Sequence, residues 1–194
     1  GIRMYIRSLI FVFYAAIKEA LPHVTLQIQH GISNGYYCEL SGLEREISDS
    51  DIFAIKQEMK LLIEQKIPFI KKELLTDEIV DLLMKQGLEE KARLFEQQGN
   101  LYAQLYFLND LGNFFYGHLL PSTDYLSNFD LVKYFDGLLL QIPKRKKIQK
   151  LRKIVKLNKL FGIYKEHKNW AEILNVSTIG NLNDFTLQKR SGDI

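Results

Sequence analysis

The sequence predicts an α+β fold in which helices pack on an antiparallel sheet. Two dipeptides carry this prediction, because Asn34-Gly35 and Asp136-Gly137 each stand between short runs that favour strands. Asn-Gly and Asp-Gly are strong local signals for a two-residue hairpin, and hairpins join antiparallel strands. The segments around both dipeptides show the apolar spacing of helices. Hairpins and helices interspersed along one chain favour α+β over a parallel α/β sheet.

The first predicted element is a helix over residues 4–21, which Pro22 ends. This helix is apolar nearly all round, so we expect it to be buried on several sides. The first hairpin follows, with strands over Thr25–Gln29 and Gly35–Leu40.

Capping side chains define the elements that follow. Ser48 and the aspartates beside it begin a helix that runs to about Gln65, and Thr76 caps another helix that ends before Gly87. The remaining predicted elements in this part are strands over Phe69–Leu74, 101–108 and Asn113–Gly117, a helix over Glu89–Gln97, and a strand pair over Asp130–Tyr134 and Leu138–Ile142.

The C-terminal third is rich in lysine and arginine. Residues 144–159 contain no acid and keep an apolar stripe, which predicts an amphipathic basic helix. Lys146, Lys150 and Lys153 are its candidate contacts to RNA or phosphate. A solvated helix face, or a face that docks on an acidic partner domain, explains the same pattern.

A second helix is predicted over residues 161–174, with Trp170, Ile173 and Leu174 as packing residues. The sequence after Val176 is typical of a linker. The predicted domains are residues 1–143, a helical extension over 144–180, and a linker over 181–194 toward a domain that is absent here. The helix directly after Gly1 and the linker-like end together suggest a piece of a longer protein.

Composition limits the class of protein. The chain has 194 residues, 46% of them hydrophobic and 12% aromatic, which suits one domain with a small annex. No apolar run reaches the about 18 residues that span a membrane. A single cysteine excludes an internal disulfide and predicts the cytoplasm. The net charge of +3 does not by itself indicate nucleic acid.

The common nucleotide and metal motifs are missing from the sequence. It contains neither G-x-x-x-x-G-K-[ST] nor G-x-G-x-x-G, so it binds no ATP by those routes. It also lacks H-x-x-x-H and C-x-x-C, and no metal site is predicted. A spatial cluster of His30, Cys38 and His118 is the alternative. Cys38 alone is expected to be a small buried side chain.

Several short strings resemble a known family. Leu21-Pro22-His23, then Asn34-Gly35-Tyr36-Tyr37 with an acid two places on, then Tyr116-Gly117-His118-x-x-Pro121 occur in the order found in the editing-type second domain of threonyl-tRNA synthetases. The resemblance covers Ser8–Leu40 and more loosely the chain through His118. That family carries H-x-x-x-H and C-x-x-x-H, which it uses to hydrolyse mischarged tRNA.

The catalytic positions of that family differ here. They fall at Phe11, Ala15, Phe114 and His118, and of these His118 alone keeps its residue type. Phenylalanine and alanine neither bind a metal nor transfer a proton. The resemblance therefore implies a domain that has lost its hydrolytic centre, and no catalytic residue is assigned.

A second resemblance covers nearly the whole chain. It is to the N-terminal half of bacterial uridine-kinase-related nucleoside kinases. The strings that carry it are Tyr5-Ile6-Arg7-Ser8-Leu9, Gly35-Tyr36-Tyr37-Cys38-Glu39-Leu40, Ile67-Pro68-Phe69, Phe115-Tyr116-Gly117, Pro121-Ser122-Thr123, Tyr125-Leu126, Phe135-Asp136-Gly137-Leu138-Leu139-Leu140, His167, Trp170 and Leu174-Asn175-Val176-Ser177.

This second resemblance implies an accessory domain with binding or regulatory function. A small ubiquitin-like TGS segment would precede it, and a kinase domain that uses ATP and magnesium would follow it. The domain itself would need no cofactor. Its ligand would be a nucleoside, an amino-acid-like molecule or tRNA.

The candidate pocket is expected between the first helix and the sheet. Its candidate lining residues are Tyr37, Glu39, His118, Ser122 and Thr123. A tyrosine can stack on a base, and a glutamate can accept a hydrogen bond from an amine or hydroxyl. Three alternatives stay open: a residual aminoacyl-ester hydrolase that uses His118 and Glu39, an RNA-binding module, and a purely structural or dimerisation module.

Overall fold

The computed structural model of the chain describes residues 1–32, 35–144, 147–151, 154 and 157–173. These residues form the α+β fold with antiparallel sheets that the sequence predicts. The helices are α1 (Ile2–Ala20), α2 (Asp49–Glu64), α3 (Thr76–Lys85), α4 (Glu89–Gln98), the short 3-10 helix η1 (Thr123–Tyr125) and α5 (Asn158–Ile173). The strands are β1 (Thr25–Ile32), β2 (Gly35–Ser41), β3 (Ile70–Leu75), β4 (Tyr102–Leu108), β5 (Leu111–Asn113), β6 (Asp130–Tyr134), β7 (Gly137–Gln141), β8 (Pro143–Lys144) and β9 (Lys147–Leu151).

The main sheet is built from the two predicted hairpins. Its strand order is β1-β2-β7-β6, and every neighbouring pair is antiparallel. The central contact joins the hairpins, with Tyr37 opposite Leu139 and Cys38 opposite Leu138. Every residue of β7 is buried, as expected for an inner strand of mostly apolar residues. Both hairpin predictions are confirmed for their strands, while the turn residues 33–34 lie outside the described part.

Helix α1 is buried as its sequence predicts. Its apolar residues from Phe11 to Ile17 are all buried, and the helix packs against α2. Helix α2 in turn packs against strand β6 and the short helix η1. Ser48 caps α2, since its hydroxyl accepts a hydrogen bond from the Asp51 amide at 3.2 Å.

The remaining strands form two smaller sheets. One has the order β3-β4-β5, and the other pairs β8 with β9. By its internal contacts the chain divides into two compact units. The first unit comprises Gly1–Glu73 and Gln104–Lys156, and the second comprises Leu74–Ala103 and the segment that begins at Leu157. In the second unit, α3 and α4 pack against each other.

The prediction of a basic helix over residues 144–159 is wrong for residues 144 and 147–151, which lie in strands. Residues 147–151 form strand β9, which pairs with β8 so that Pro143 lies opposite Leu151. The three-residue spacing of Ile148, Leu151 and Ile154 suits a helix, but so short a pattern does not separate helix from strand. Lysines three or four positions apart would also repel each other on a helix. The helix that does form, α5, begins at Asn158.

Three smaller predictions also need correction. Strand β5 ends at Asn113, so the predicted strand over 113–117 is wrong. Thr76 is the first residue of α3 rather than its cap, and its hydroxyl donates to the Asn100 carbonyl. Trp170 is 64% exposed and does not pack as predicted.

Within the described residues, no helix is long and apolar enough to cross a membrane.

Candidate functional site

Three side chains near the start of α1 bind the backbone on both sides of η1. The Ser8 hydroxyl accepts a hydrogen bond from the Leu120 amide at 2.8 Å. The Tyr5 hydroxyl donates to the Asn128 carbonyl at 2.8 Å and accepts from the Asn128 amide at 2.9 Å. Arg7 binds the same segment through two backbone carbonyls. Residues far apart in sequence therefore form one anchored loop on α1, over residues 114–128, which carries three of the predicted pocket residues.

The Arg7 guanidinium is seated on Gly117. Its Nη1 donates to the Tyr116 carbonyl at 2.6 Å and its Nε donates to the His118 carbonyl at 3.2 Å. Gly117 has φ +101°, a conformation that side chains rarely adopt. The His118 side chain is exposed at the edge of this arrangement.

Ser122 and Thr123 bind their own backbone surroundings. Thr123 is fully buried, and its hydroxyl donates to the Leu62 carbonyl at 2.7 Å and accepts from the Ile67 amide at 3.0 Å. The Ser122 hydroxyl donates to the Asp124 carboxylate, and it makes no cap hydrogen bond to η1. Thr123 therefore joins η1 to the end of α2.

Tyr37 and Glu39 lie on one face of β2, as strand alternation predicts. Tyr37 is 1% exposed, and its hydroxyl donates to Asp136 Oδ1 at 2.8 Å. Its ring meets that of Tyr134 edge-on, with the centroids 6.3 Å apart. Glu39 is half-buried and accepts a hydrogen bond from Gln29 Nε2 at 3.1 Å. The carboxylate of Glu39 is thus engaged with the neighbouring strand.

The five predicted pocket residues fall into two groups by element. Tyr37 and Glu39 belong to the main sheet, while His118, Ser122 and Thr123 belong to the anchored loop. Their description as one ligand pocket remains a prediction. Of the predicted basic contacts, Lys150 lies in β9, and Lys146 and Lys153 fall outside the described residues.

Cys38 and Tyr14 are two buried side chains whose pKa values burial raises strongly. Burial raises the pKa of the Cys38 thiol to about 12, so it stays protonated and unreactive at neutral pH. Burial also raises the pKa of Tyr14 to about 12, and its hydroxyl has no hydrogen-bond partner among the described residues. Within that same part of the chain, no group of three or more His, Cys, Asp or Glu side chains is placed to hold a metal.

The chain is similar in sequence to part of several threonine--tRNA ligases. No family model matches the chain. It is 31% identical over 119 residues to a threonine--tRNA ligase of Paracidovorax citrulli (strain AAC00-1), which covers 61% of this chain and 18% of that protein. It is 28% identical over 137 residues to threonine--tRNA ligases of Xanthomonas campestris pv. campestris, strains B100 and 8004, which covers 70% of this chain and 21% of theirs.

The chain carries a domain related to threonine--tRNA ligases. It spans about a fifth of the length of these relatives. The sequence resemblance to threonyl-tRNA synthetases is therefore confirmed as a relationship between domains, and the α+β architecture fits it.

The structure shows the surroundings of the positions that the sequence resemblance assigns to the family's catalytic residues. Phe11 is fully buried, and its ring lies 5.9 Å from that of Phe69 and 5.2 Å from that of Phe115 between centroids. Ala15, one turn further along α1, is 7% exposed. The Phe114 ring meets the exposed Tyr116 ring edge-on at 4.7 Å. Apolar side chains, two of them aromatic, therefore occupy three of the four positions that the sequence resemblance assigns to polar residues.

The Arg7–Gly117 contact was not predicted from the sequence as a functional feature. Arg7 appeared there within a family-like string, with no partner assigned. Arg7 and its carbonyl partners are 109 and 111 positions apart in the sequence. Local sequence patterns cannot predict a contact over that distance. The one local signal was Tyr116-Gly117-His118, because a glycine between two large polar side chains is consistent with a close approach.

Proposed function

We propose that this chain is an editing-related domain that binds a ligand without hydrolysing mischarged tRNA, and that it serves a nucleoside kinase. In this proposal it is the N-terminal accessory domain of a uridine-kinase-like protein. The kinase domain, together with ATP and magnesium, would transfer phosphate to a nucleoside. A TGS-like segment on the other side would complete the parent protein.

The aromatic packing around Phe11 carries the first half of the proposal. A buried phenylalanine between two other rings provides no lone pair for a metal and no proton for catalysis. Replacing the polar family residues by apolar ones also removes the cost of burying them unpaired. The position has thus become part of the core, which favours a structural and binding role over hydrolysis.

The sequence resemblance supports the second half of the proposal. Gly35-Tyr36-Tyr37-Cys38-Glu39-Leu40 forms β2, and Gly137-Leu138-Leu139-Leu140 forms most of β7, which pairs with it. Both strings belong to the resemblance to uridine-kinase-related proteins. The two strands form the centre of the main sheet, so the shared strings describe the middle of one structural unit.

A hydrolysis assay tests the loss of editing. Purified chain is incubated with mischarged threonine tRNA, and release of the amino acid is compared with the rate in buffer. We expect no acceleration, and no change with His118→Ala. Hydrolysis that depends on the chain and disappears in His118→Ala would instead establish the residual hydrolase that the sequence left as an alternative.

The kinase context has a separate test. Sequencing the encoding gene on both sides of this segment should reveal G-x-x-x-x-G-K-[ST] in the same reading frame beyond Ile194. The parent protein should then phosphorylate uridine with ATP and magnesium. An open reading frame that continues instead into a synthetase catalytic domain would contradict the proposed parent.

A further inference from the structure

We propose that the Arg7 guanidinium, seated on Gly117, is a preformed site for the phosphate group of a small ligand. The site consists of Arg7, the backbone of Tyr116–His118 and the exposed Tyr116 ring. This inference deepens the proposed binding function, on which it rests, by naming the chemical class of the ligand.

The guanidinium is held in place before any ligand arrives. Bonds from two of its nitrogens to the carbonyls of Tyr116 and His118 fix both its position and its plane. A flexible arginine must lose conformational freedom when it binds an anion, and here that loss has already occurred on folding. Both of these bonds lie in an exposed setting, so the group remains open to solvent.

Gly117 makes room for this arrangement. A Cβ atom added at Gly117 would lie 2.8 Å from Nη1 of Arg7 and 3.1 Å from both Cζ and Nη2. The guanidinium therefore lies against the open face of the glycine. Any other residue at this position would push Arg7 away as well as strain the backbone at φ +101°.

The Arg7 guanidinium has N–H donors that the two loop carbonyls do not use. Arginine has five N–H donors, and the two carbonyls use one from Nη1 and one from Nε. Nη2 keeps both of its donors and Nη1 keeps one, so donors on two nitrogens remain for the oxygens of a phosphate. Among the described residues no carboxylate pairs with Arg7, whereas Arg45 is neutralised by Asp51 at 2.6 Å. A folded protein that fixes an arginine and leaves its charge uncompensated has a ready anion site.

Two neighbours narrow the class of ligand. Arg3 lies one turn before Arg7 on the same side of α1, is exposed, and is also without a carboxylate partner in the described part of the chain. Tyr116 is 77% exposed, while the edge contact to Phe114 orients its ring and leaves a face available for stacking. Positive charge beside an exposed aromatic ring suits a phosphate attached to a planar base. The phosphate can come from a nucleotide or from inorganic phosphate.

Titration monitored by nuclear magnetic resonance of the backbone amides tests the site. The complete 194-residue chain is titrated separately with inorganic phosphate and with uridine monophosphate. We expect saturable shifts at the amides of Gly117 and His118 with both probes. Arg7→Gln should weaken binding at least about tenfold, because hydrogen bonds to charged groups contribute that much. The affinity of Arg7→Lys for phosphate should lie between that of the parent chain and that of Arg7→Gln, because lysine keeps the charge and loses the planar guanidinium.

Ser8→Ala is the matched control. It removes the neighbouring bond from α1 to the same loop, at Leu120, and leaves the guanidinium untouched. We expect it to lower the melting temperature and to retain phosphate binding. If Ser8→Ala weakened binding as much as Arg7→Gln, Arg7 would be a loop anchor only. Absence of saturable shifts with either probe would equally overturn the proposal.

Tyr116→Ala separates the two sources of phosphate. If it weakens binding of uridine monophosphate and leaves inorganic phosphate unaffected, the site takes a nucleotide through its base. If it changes neither, free phosphate is the ligand. If neither probe binds and the chain does not hydrolyse mischarged tRNA, the phosphate site alone is wrong. If the chain binds phosphate and also hydrolyses mischarged tRNA, the proposed function alone is wrong.

Discussion

Buried hydroxyl groups of this protein differ in whether the backbone satisfies them. The Thr123 hydroxyl is fully buried, yet it satisfies one carbonyl and one amide of the backbone. The Tyr14 hydroxyl is also buried and has no partner among the described residues. Predicted pocket residues can thus be tested first for their effect on stability.

Thr123→Val should destabilise the fold strongly. Valine has nearly the shape of threonine but lacks its hydroxyl, so the change removes the side-chain hydrogen bonds of Thr123 and leaves the side-chain volume almost unchanged. It leaves the Leu62 carbonyl and the Ile67 amide without this partner in a buried place. At about 1–3 kcal/mol for each of the two unsatisfied groups, we expect a loss of about 2–6 kcal/mol in the free energy of unfolding. Urea denaturation measures it.

Ser122→Ala is the control for this prediction. Ser122 is half-buried, and its hydroxyl binds the neighbouring Asp124 in an exposed setting. We expect a change within about 0.5 kcal/mol, as is usual for surface substitutions. Equal losses for the two variants would show that the buried bonds of Thr123 contribute nothing specific.

At the scale of elements, local chemistry decided which predictions held. The strands that flank Asn34-Gly35 and Asp136-Gly137 were predictable because hairpin turns demand particular residues. The second hairpin turns one position earlier than its dipeptide suggests, since Tyr134 pairs with Gly137 and Phe135 takes φ 53°. The strand β9 was missed because its apolar spacing is too short to define a period.

The seat of Arg7 was beyond local prediction for a different reason. It depends on a contact across more than a hundred positions and on space that a glycine leaves open. The sequence already places apolar residues, Phe11 and Ala15, where the resemblance implies polar ones. The rings that pack around Phe11 became known only from the structure.

Asp51 at the start of α2 predicts how the stability of the fold depends on pH. Two hydrogen bonds from the Arg45 guanidinium, at 2.6 and 2.9 Å, and further ones from Ser48 hold the pKa of Asp51 well below its ordinary value of 3.8. A lowered pKa means that the stabilisation is complete above the pKa of the unfolded chain. It is lost as the pH falls from about 3.8 through the folded pKa.

Asp51→Asn should therefore be less stable than the parent chain at neutral pH, by up to about 1 kcal/mol because the ion pair is partly exposed. The difference should shrink as the pH falls below about 4. Urea denaturation at a series of pH values measures it. Asp49→Asn, another first-turn acid that is exposed, should show a smaller difference. A difference for Asp51→Asn that stays constant down to low pH would contradict this account of the cap.

At the scale of the whole molecule, the two compact units have very different cores. The first contains the main sheet and the long buried helix α1. In the second, α3 and α4 pack against each other, and their buried apolar residues are Ile79, Leu83, Ala92 and Phe95. Each of these helices has 10 residues, a length at which a helix alone is marginal in water. The helix pair therefore depends on those few apolar side chains.

Leu83→Ala should open the α3–α4 pair without opening the main sheet. Leu83 is fully buried, and removing its side chain costs about 2–5 kcal/mol where the space cannot collapse. Hydrogen exchange should accelerate across residues 76–98 and stay unchanged at the amides of Leu138–Leu140, because regions with separate cores open separately. Met84→Ala, at the next position and 51% exposed, should leave both regions unchanged. Equal acceleration in both regions by Leu83→Ala would show instead that the chain unfolds as one cooperative unit, in which the small core is stabilised by the large one.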